Sequence, residues 1–410
     1  MAFNRVFTGI SEDSTPRAPA EPTDDGWGGE TAAAAPPADG TGLSRGTATK
    51  GGRLAALSLL AGTGGSPRRF VVVTLAVAAV LVFCVAGVNA VVDPYGTVGT
   101  GLMPPVTWTD RSLKVALIER LARAPQVVVL GSSRAMKVEP AFITTKTGRT
   151  AFNAAVSSGK PIDAWAFVNL IHDRFPTARS TYLWLLDVEA FRTYPTDPGL
   201  LNTPQLAQYL SAGARARTRI SQLPSLFSWE TSRTAWRVLR RRVRQAASSP
   251  APTAAGGAEF SSDGFRTLDY HDRRVSEGVS LASEIRRTIR QGEETYRDEY
   301  KRLSAAAERD FERTLGLMNR LGATPVLVIT PMHPTMLADV APLGWSARHR
   351  DVLGYLRSLR PRYRFLLLDF SRVSAFGGSA AAFYDGYHMT VQNTRRLVTT
   401  VLADYPHALR

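Results

Sequence analysis

The sequence predicts an α/β fold, a parallel sheet with helices on both faces, attached to one N-terminal membrane-spanning helix. Two observations predict it. Beyond residue 110, short apolar runs alternate with segments of helical periodicity, and strands that alternate with helices form parallel sheets covered on both faces. Ahead of them, residues 70–92 carry no charge and are long enough to cross a hydrocarbon layer of about 30 Å.

The N-terminal residues 1–66 are rich in Ala, Gly, Pro, Thr and Ser and contain very few aromatic residues. Such a segment cannot bury enough apolar surface to offset the entropy of ordering it, so we predict a disordered tail. Residues 67–92 follow as the predicted transmembrane helix. A cleaved signal peptide is one alternative, although its apolar core would be shorter and would start nearer the N-terminus. A buried core helix is the other alternative.

Sequence patterns predict the helices and strands of the outer region, residues 93–410. The first predicted helix, 112–123, has apolar residues on one face, and the apolar, β-branched run 127–131 is typical of a buried strand. The remaining predicted strands are 150–153, 181–187, 324–330 and 364–369. The remaining predicted helices are 138–148, 160–174, 293–321, 346–359 and 391–403.

The stretch of about 190–292 breaks this alternation and is predicted to be a divergent, Arg-rich insert. It contains a low-complexity run at 248–257, read as a flexible loop. Residues 211–247 hold nine Arg and one acidic residue. Four arginines fall at helical spacing: Arg237, Arg240, Arg241 and Arg244. The functional hypothesis is contact with an anionic polymer or with anionic lipid headgroups, and the alternative is a solvated helix face. Nucleic acid is not expected as a partner outside a membrane.

The formal net charge of +15 lies entirely beyond residue 92, because residues 1–92 contain seven basic and seven acidic residues. With Cys84 as the only cysteine, no intramolecular disulfide can form. The sequence lacks the Gly-x-Ser-x-Gly elbow of ordinary α/β-hydrolases, zinc-binding His-Glu-x-x-His and cysteine clusters, and a phosphate-binding loop. We therefore predict neither a metal nor a cofactor.

Two short motifs contain the residues that predict a serine nucleophile and its base. The strand at 127–131 ends in Gly and leads into Ser132, Ser133 and Arg134, at the sheet edge where open α/β proteins place their sites. Near the C-terminus, Asp385 and His388 are three residues apart. A serine nucleophile needs a neighbouring base, and that base needs an orienting partner. Ser133, His388 and Asp385 supply all three groups.

These residues resemble the SGNH (GDSL-type) hydrolase superfamily over roughly residues 89–402. Gly131-Ser132-Ser133-Arg134 matches its Gly-Asp-Ser-Leu block, and Asp385-x-x-His388 matches its terminal Asp-x-x-His block. The similarity is greater to the membrane-anchored envelope branch, which includes alginate O-acetyltransferases and the D-alanyl transfer protein of teichoic acid synthesis. The resemblance implies a flavodoxin-like three-layer α/β/α domain with Ser133 as nucleophile, His388 as base and Asp385 as its orienting acid.

The second block of that family centres on a Gly that follows an Asn. Asn153 supplies the Asn here, and Ala155 stands where the Gly falls. The resemblance therefore implies Asn153 and Ala155 at the oxyanion and substrate site, because the backbone N–H of an Ala can still donate to an oxyanion. The third block, Gly-x-Asn-Asp, is missing. Its strand corresponds to 182–187, so no oxyanion Asn side chain is assigned.

Three further residues are predicted to contact substrate. Arg134 follows the nucleophile and is expected to hold an acyl carrier or a sugar acid, with a salt bridge as the alternative. Asp187, followed by Glu189, ends a strand at the same edge; it either binds substrate hydroxyls or caps the next turn. His333 lies just past another strand end, between prolines, as a wall of the site or as a structural residue.

The resemblance implies a serine acyltransferase, similar to O-acetyltransferases, that modifies a cell-envelope glycan or an anionic polymer. It also implies a polytopic membrane O-acyltransferase as the partner that supplies the acyl group. An extracytoplasmic esterase that uses water as the acceptor is the first alternative. A non-catalytic glycan-binding or scaffold module, motivated by the missing third block, is the second.

The predicted topology has the N-terminus in the cytoplasm and residues 93–410 outside. Four cationic residues lie within 20 residues before the span: Lys50, Arg53, Arg68 and Arg69. Only Arg111 lies within 20 residues after it, and basic flanks stay cytoplasmic. We expect a periplasm-type reporter fused after residue 410 to be active and a cytoplasmic one to be inactive. Activity of the cytoplasmic reporter alone would reverse this topology.

Overall fold

A computed structural model describes residues 67–94, 98, 103, 109–194, 196–245, 259–268 and 270–409. The predicted disordered tail at 1–66 and the predicted flexible loop at 248–257 lie outside the described residues.

Five parallel strands form one sheet, with the order β2-β1-β3-β4-β5. Their bounds are β1 Val127–Leu130, β2 Ala151–Asn153, β3 Thr181–Leu186, β4 Val326–Ile329 and β5 Leu366–Asp369. Every residue of β1 and β4 is buried, as expected of parallel strands covered on both faces, which read as continuous apolar runs. The predicted α/β class and its parallel sheet are confirmed.

The helices of the described residues precede, separate and follow these strands. Those outside the insert are α1 Pro67–Val92, α2 Asp110–Arg120, α3 Pro140–Thr147, α4 Pro161–Arg174, α11 Ala305–Arg320, α12 Pro334–Val340, α13 Ser346–Ser358 and α14 Val391–Asp404. Those that begin within it are α5 Pro198–Leu201, α6 Pro204–Ala207, α7 Ala212–Gln222, α8 Trp229–Gln245, α9 Tyr270–Ser276 and α10 Leu281–Glu294. The stretch that the sequence left without assigned elements is therefore largely helical where it is described.

The prediction of one long helix at 293–321 is wrong. The chain forms α10, a π-helical turn at Thr295–Glu299, and then α11. Between them the Tyr300 hydroxyl donates a hydrogen bond to the carbonyl of Val188 at 2.8 Å, and the N–H of Ser304 donates to the carbonyl of Phe191 at 2.8 Å. These tertiary contacts with the segment after β3 replace the helical hydrogen bonds that the local pattern favours.

Among the described residues, α1 is the one helix that is long and apolar enough to cross a membrane. Its 26 residues extend about 39 Å at 1.5 Å per residue, which exceeds a hydrocarbon layer of about 30 Å. Most of its side chains are exposed, unlike those of a core helix. The exceptions, Ala86, Asn89 and Val92, recur every three residues and therefore share one face of the helix.

The turn after β1 depends on a glycine. Gly131 has φ +149°, which side-chain-bearing residues rarely adopt. A Cβ at this position would lie 2.8 Å from both the Ala135 Cβ and the Leu185 carbonyl oxygen. The tight turn leading from β1 to Ser133 therefore requires Gly in both conformation and space.

Replacing Gly131 by Ala should lower the melting temperature of the detergent-solubilised chain by several degrees. The strained backbone costs about 1–3 kcal/mol, and each kcal/mol shifts the melting temperature of a domain of this size by about 2–4 °C. Gly354→Ala is the matched control, because Gly354 lies exposed inside α13 with open space around its Cα. That change should raise stability by about 0.5–1 kcal/mol. Equal melting temperatures for the two variants would contradict this account of Gly131.

Candidate active site

The carboxyl end of β1 delivers Ser133 to the edge of the sheet. Ser133 begins a 3-10 turn, Ser133–Ala135, and the side chain of Ser132 caps this turn by accepting a hydrogen bond from the N–H of Arg134 at 3.2 Å. The cap and the glycine turn together fix where the Ser133 hydroxyl lies. The backbone N–H of a residue at the start of such a turn has no acceptor within the turn.

A hydrogen-bonded chain links the three residues that the sequence predicted as catalytic. The Ser133 Oγ lies 2.9 Å from His388 Nε2, and His388 Nδ1 lies 2.9 Å from Asp385 Oδ2. Residues 255 positions apart in sequence are therefore in direct contact. In this geometry an imidazole can take the serine proton on one nitrogen while a carboxylate holds the other.

Asp385 is a buried, ionised carboxylate, with 1% of its surface exposed. Burial alone would raise its pKa, but the charge and hydrogen bond of His388, the charge of His271 and the N–H of Tyr387 hold that pKa well below the ordinary value of 3.8. The backbone N–H groups of Tyr387 and His388 donate to Oδ1 at 2.7 and 2.8 Å. The carboxylate therefore also orders the loop that carries the base.

Neighbouring helices hold that loop in place. The N–H of Gly386 donates to the Thr288 hydroxyl of α10 at 3.0 Å, and its carbonyl accepts from the N–H of His333 at 3.0 Å. A Cβ on Gly386 would collide with the Met336 sulfur and the Thr288 hydroxyl. The close approach of α10 and α12 to the loop therefore requires Gly between Asp385 and His388.

His271, at the start of α9, is a site residue that the sequence reasoning missed. Its ring centroid lies 4.3 Å from that of His388, and its Nδ1 lies 3.6 Å from Asp385 Oδ2. Arg287 of α10 also approaches this carboxylate, at 3.9 Å. No motif marks His271 in the sequence, since it lies in the insert, and only the fold brings it to the acid.

His271, Asp385 and His388 also form a group of three potential metal ligands, with their ligand atoms within 4.8 Å of one another. No metal-binding motif in the sequence indicates this group. The Asp385 oxygens and His388 Nδ1 already form the hydrogen bond of the serine chain. A cation in this position would compete directly with that hydrogen bond.

Buried lysines fasten the segment that leads to His271. Lys114 of α2 donates to the carbonyls of Asn153, at 2.6 Å, and Gly264, and burial lowers its pKa to about 7. Lys137 donates to the Arg266 carbonyl at 3.1 Å and pairs with Asp272 at 2.5 Å. The residue next to His271 is thus bound to the 3-10 turn region after Ser133.

A cleft of about 460 Å³ opens beside Ser133 and His388. Its wall is built mostly from polar residues and carries both signs of charge. The charged and aromatic residues that line it are Arg134, Lys160, Asp187, Glu189, Tyr194, Asp197 and Tyr387. Burial lowers the pKa of Lys160 to about 8, while the charges of Asp163 and Asp197 act to raise it. The wall suits a hydroxyl-rich substrate better than a purely apolar one.

Arg134 lines this cleft, but protein groups surround its charge. It lies 2.9 Å from Glu189 and 3.6 Å from Asp187, and its guanidinium stacks on the Tyr387 ring at 4.3 Å. Burial acts to lower its pKa, but the two carboxylates raise it overall. Arg134 therefore forms salt bridges within the protein, which was the alternative expectation for this residue.

Asp187 occupies the N-cap position of the next turn but makes no side-chain capping bond there. Its carboxylate instead accepts a hydrogen bond from the Thr330 hydroxyl at 2.8 Å.

Two residues of the second block are not where the resemblance implied. Asn153 is fully buried, and its amide nitrogen donates to the carbonyls of Ala135 and Val138, both at 2.8 Å. Its oxygen accepts from the N–H of Ala155 at 2.9 Å. The amide of Asn153 is therefore structural, and the Ala155 N–H predicted for the oxyanion already has an acceptor. The chain reaches the cleft later, at Ser158 and Gly159.

His333 is also a structural residue and does not line the cleft. Its Nδ1 caps α12 by accepting from the N–H of Thr335 at 3.2 Å, and its ring packs edge-on against Phe383 at 5.5 Å. Burial lowers its pKa. The prolines around it mark the start of a helix that supports the Asp385–His388 loop.

The four arginines predicted to bind an anionic partner lie on α8, and no residue of α8 lines the cleft. Arg237 and Arg240 are exposed, whereas the side chains of Arg241 and Arg244 lie outside the described residues. Contact of these arginines with an anionic partner stays a prediction. The helical spacing on which it rests agrees with the helical backbone of Trp229–Gln245.

The chain matches no protein-family model, and a search of curated proteins finds no significant match.

The lowered pKa of Asp385 predicts how stability depends on pH. The ionised group stabilises the fold above its ordinary pKa of 3.8, and this contribution is lost as pH falls below 3.8 towards the folded-state pKa. Asp385→Asn should therefore lower the melting temperature at pH 7, and the gap to wild type should shrink below pH 3.8. Asp404→Asn, which changes an exposed carboxylate, is the control and should differ little at any pH. A gap that is constant down to acidic pH would contradict the assignment.

Proposed function

We propose that this protein is a membrane-anchored serine acyltransferase that modifies a cell-envelope glycan or polymer. One observation carries the proposal: the hydrogen-bonded chain Ser133–His388–Asp385 stands in a polar cleft at the carboxyl edge of a parallel sheet. That edge is where open α/β sheets bind their ligands.

The strand order supports the finer fold assignment within this proposal. The order β2-β1-β3-β4-β5 is that of flavodoxin-like sheets, which is the architecture implied by the SGNH resemblance. The nucleophile follows β1, and the Asp385–His388 loop immediately precedes α14. These positions are the ones that the two matched sequence blocks imply.

The proposed reaction has two halves. Ser133 Oγ attacks the carbonyl carbon of an acyl ester or thioester while its proton passes to His388 Nε2, and Asp385 stabilises the imidazolium. The tetrahedral intermediate expels the donor's alcohol or thiol, which takes that proton, and leaves an acyl-serine. A hydroxyl group of the acceptor then gives its proton to His388 and attacks the acyl carbon. The modified acceptor leaves, and Ser133 regains its proton.

The oxyanion donors in this proposal come from two loops. The N–H of Ser133 is the first, as the unbonded start of a 3-10 turn. For the second we assign Ser158, which lines the cleft beside Ser133 and holds a positive φ of 51°. The neighbouring N–H groups of Ser157 and Gly159 donate to Asp110 and Val156. Non-glycine residues in this conformation are costly and are found at functional sites.

The membrane-anchored setting guides the choice of donor and acceptor. α1 is long and apolar enough to hold the domain at a membrane, with the N-terminus proposed on the cytoplasmic side. A polytopic O-acyltransferase would then supply the acyl group, and an envelope glycan hydroxyl would accept it. An esterase would use the same groups with water as acceptor, so the identity of the acceptor distinguishes the two reactions.

Ser133→Ala should abolish labelling by a fluorophosphonate probe and reduce acyl transfer by about 10⁴-fold or more, because loss of the nucleophile removes the acyl-enzyme route. The matched control is Ser132→Ala, which weakens the turn by about 1 kcal/mol but keeps the Ser133 hydroxyl, so this variant should still be labelled. Acyl transfer to added oligosaccharide is measured beside hydrolysis of p-nitrophenyl acetate. Normal glycan acylation in cells that carry Ser133→Ala would contradict the proposal and favour a non-catalytic role.

A further inference from the structure

The insert returns to α1 and binds its C-terminal half. The buried amide of Asn89 donates to the carbonyl of Leu226 at 2.7 Å and to the Ser232 hydroxyl at 2.8 Å. Leu226 belongs to a 3-10 turn, Leu223–Phe227, and Ser232 belongs to α8. Both elements contact α1. A polar side chain in the C-terminal half of α1 thus has its partners within the insert.

A second contact lies deeper along α1. The rings of Phe83 and Phe227 meet edge to face with their centroids 6.0 Å apart. Phe83 lies nine residues, or about 13 Å, before the end of α1 at Val92. If a hydrocarbon layer of about 30 Å is centred on a helix of about 39 Å, Phe83 lies about 9 Å inside that layer. Interfacial helices bury their apolar faces to about 5–10 Å.

The same part of the insert exposes large apolar side chains. Trp229 is 81% exposed and Trp236 is 66% exposed. Ile220, Leu223 and Phe227 are also exposed. Half of the large apolar residues exposed outside α1, among those described, fall within this short stretch. Clustered exposure of this kind marks an interaction surface, and Trp is enriched where a membrane meets water.

Positive charge accompanies these apolar groups. Arg219, Arg233, Arg237 and Arg240 are exposed on α7 and α8, and Glu230 is the one acidic residue of 211–247. On α8, Trp229 and Trp236 each lie one turn before an exposed arginine, Arg233 and Arg240. Exposed Trp beside Arg suits an interface with anionic lipids. If α8 simply exposed a solvated face, its exposed tryptophans and its contact with α1 would have no explanation.

We infer that residues 211–245, here called the interfacial element, lie in the membrane interface around the C-terminal half of α1. Their exposed apolar side chains enter the acyl layer, and their arginines bind anionic lipid headgroups. The inference rests on the membrane anchoring by α1 that is part of the proposed function, and it does not depend on the chemistry of Ser133.

The interfacial element also packs against a helix that begins at the cleft wall. Thr196 and Asp197 line the cleft and directly precede α5, Pro198–Leu201, which contacts α7. The cleft wall and the interfacial element are therefore joined by packed helices.

The test uses full-length protein in lipid nanodiscs with a single fluorescent cysteine probe. The native Cys84 of α1 reports whether α1 lies in the bilayer. In a Cys84→Ser background, Trp229→Cys and Trp236→Cys probe the interfacial element. Tyr405→Cys is the matched control, an exposed aromatic position at the end of α14 that lies about 21 Å along this helix from the active-site loop. Spin-labelled lipids quench probes in the acyl layer, and iodide quenches probes in water.

We expect the spin-labelled lipids to quench the probes at 229 and 236 at least twofold more than the probe at 405, and iodide to quench them less. Replacing phosphatidylcholine by phosphatidylglycerol should increase the lipid quenching, and Arg237→Gln with Arg240→Gln should remove this increase. If the Cys84 probe is quenched by lipid but those at 229 and 236 are quenched only by iodide, the element is a solvated surface and the inference is wrong. Probes at 229 and 236 that are protected from both quenchers would assign the surface to a protein contact, such as a second copy, and would also overturn it.

Fluorophosphonate labelling of the same nanodisc samples separates this inference from the proposed function. Lipid quenching at 229 and 236 without labelling of Ser133 would leave the interfacial element in place and remove the acyl-enzyme chemistry. Labelling of Ser133 without lipid quenching would do the reverse.

Discussion

The buried carboxylate of Asp385 is the group on which the arrangement of the sheet edge around Ser133 depends. A carboxylate that is 1% exposed stays ionised only if hydrogen bonds and opposite charges offset its loss of hydration. Two N–H groups of its own loop, the imidazole of His388, and the side chains of His271 and Arg287 provide this compensation. Because these partners come from the C-terminal loop and from α9 and α10, keeping Asp385 ionised also determines where the insert meets the sheet.

The insert therefore connects two sites that the sequence shows only as separate signals. At one end, α9 and α10 bring His271 and Thr288 to the Asp385–His388 loop. At the other end, the 3-10 turn Leu223–Phe227 and α8 reach α1, where Asn89 holds the turn. The segment that interrupts the alternation of strands and helices is thus packed against both the Asp385–His388 loop and the apolar helix α1. In the proposed function, this packing sets the distance from the membrane at which an acyl donor must be presented.

How far the sequence predicted the structure depends on whether the signal was local. Each of the five strands is a short apolar run, so their positions were predicted to within about two residues, and the Gly131 turn and the Asp385–His388 spacing located the serine chain. The roles of Asn153 and Ala155 were not predictable, because their hydrogen bonds are made with each other and with the backbone after Ser133. His271 was not predicted for the same reason, because its neighbours are set by the fold and not by spacing in the sequence. The break near Tyr300 depends on a bond to Val188, more than 100 residues away.

Under the proposed function, the choice between transfer and hydrolysis does not reside in the Ser133–His388–Asp385 chain, which would serve either acceptor. It resides in the cleft. The guanidinium of Arg134 is compensated by Asp187 and Glu189, so its charge contributes little attraction for an anionic substrate. The Lys160 amine, with its pKa lowered to about 8, still carries a charge near neutral pH and lines the cleft together with Tyr194 and Asp197. A polar space of about 460 Å³ admits both water and a sugar-sized group. A hydroxylated acceptor bound along this wall would displace the water that hydrolyses an acyl-serine, so occupancy of the cleft by the acceptor, and not a difference in the catalytic groups, would decide the product.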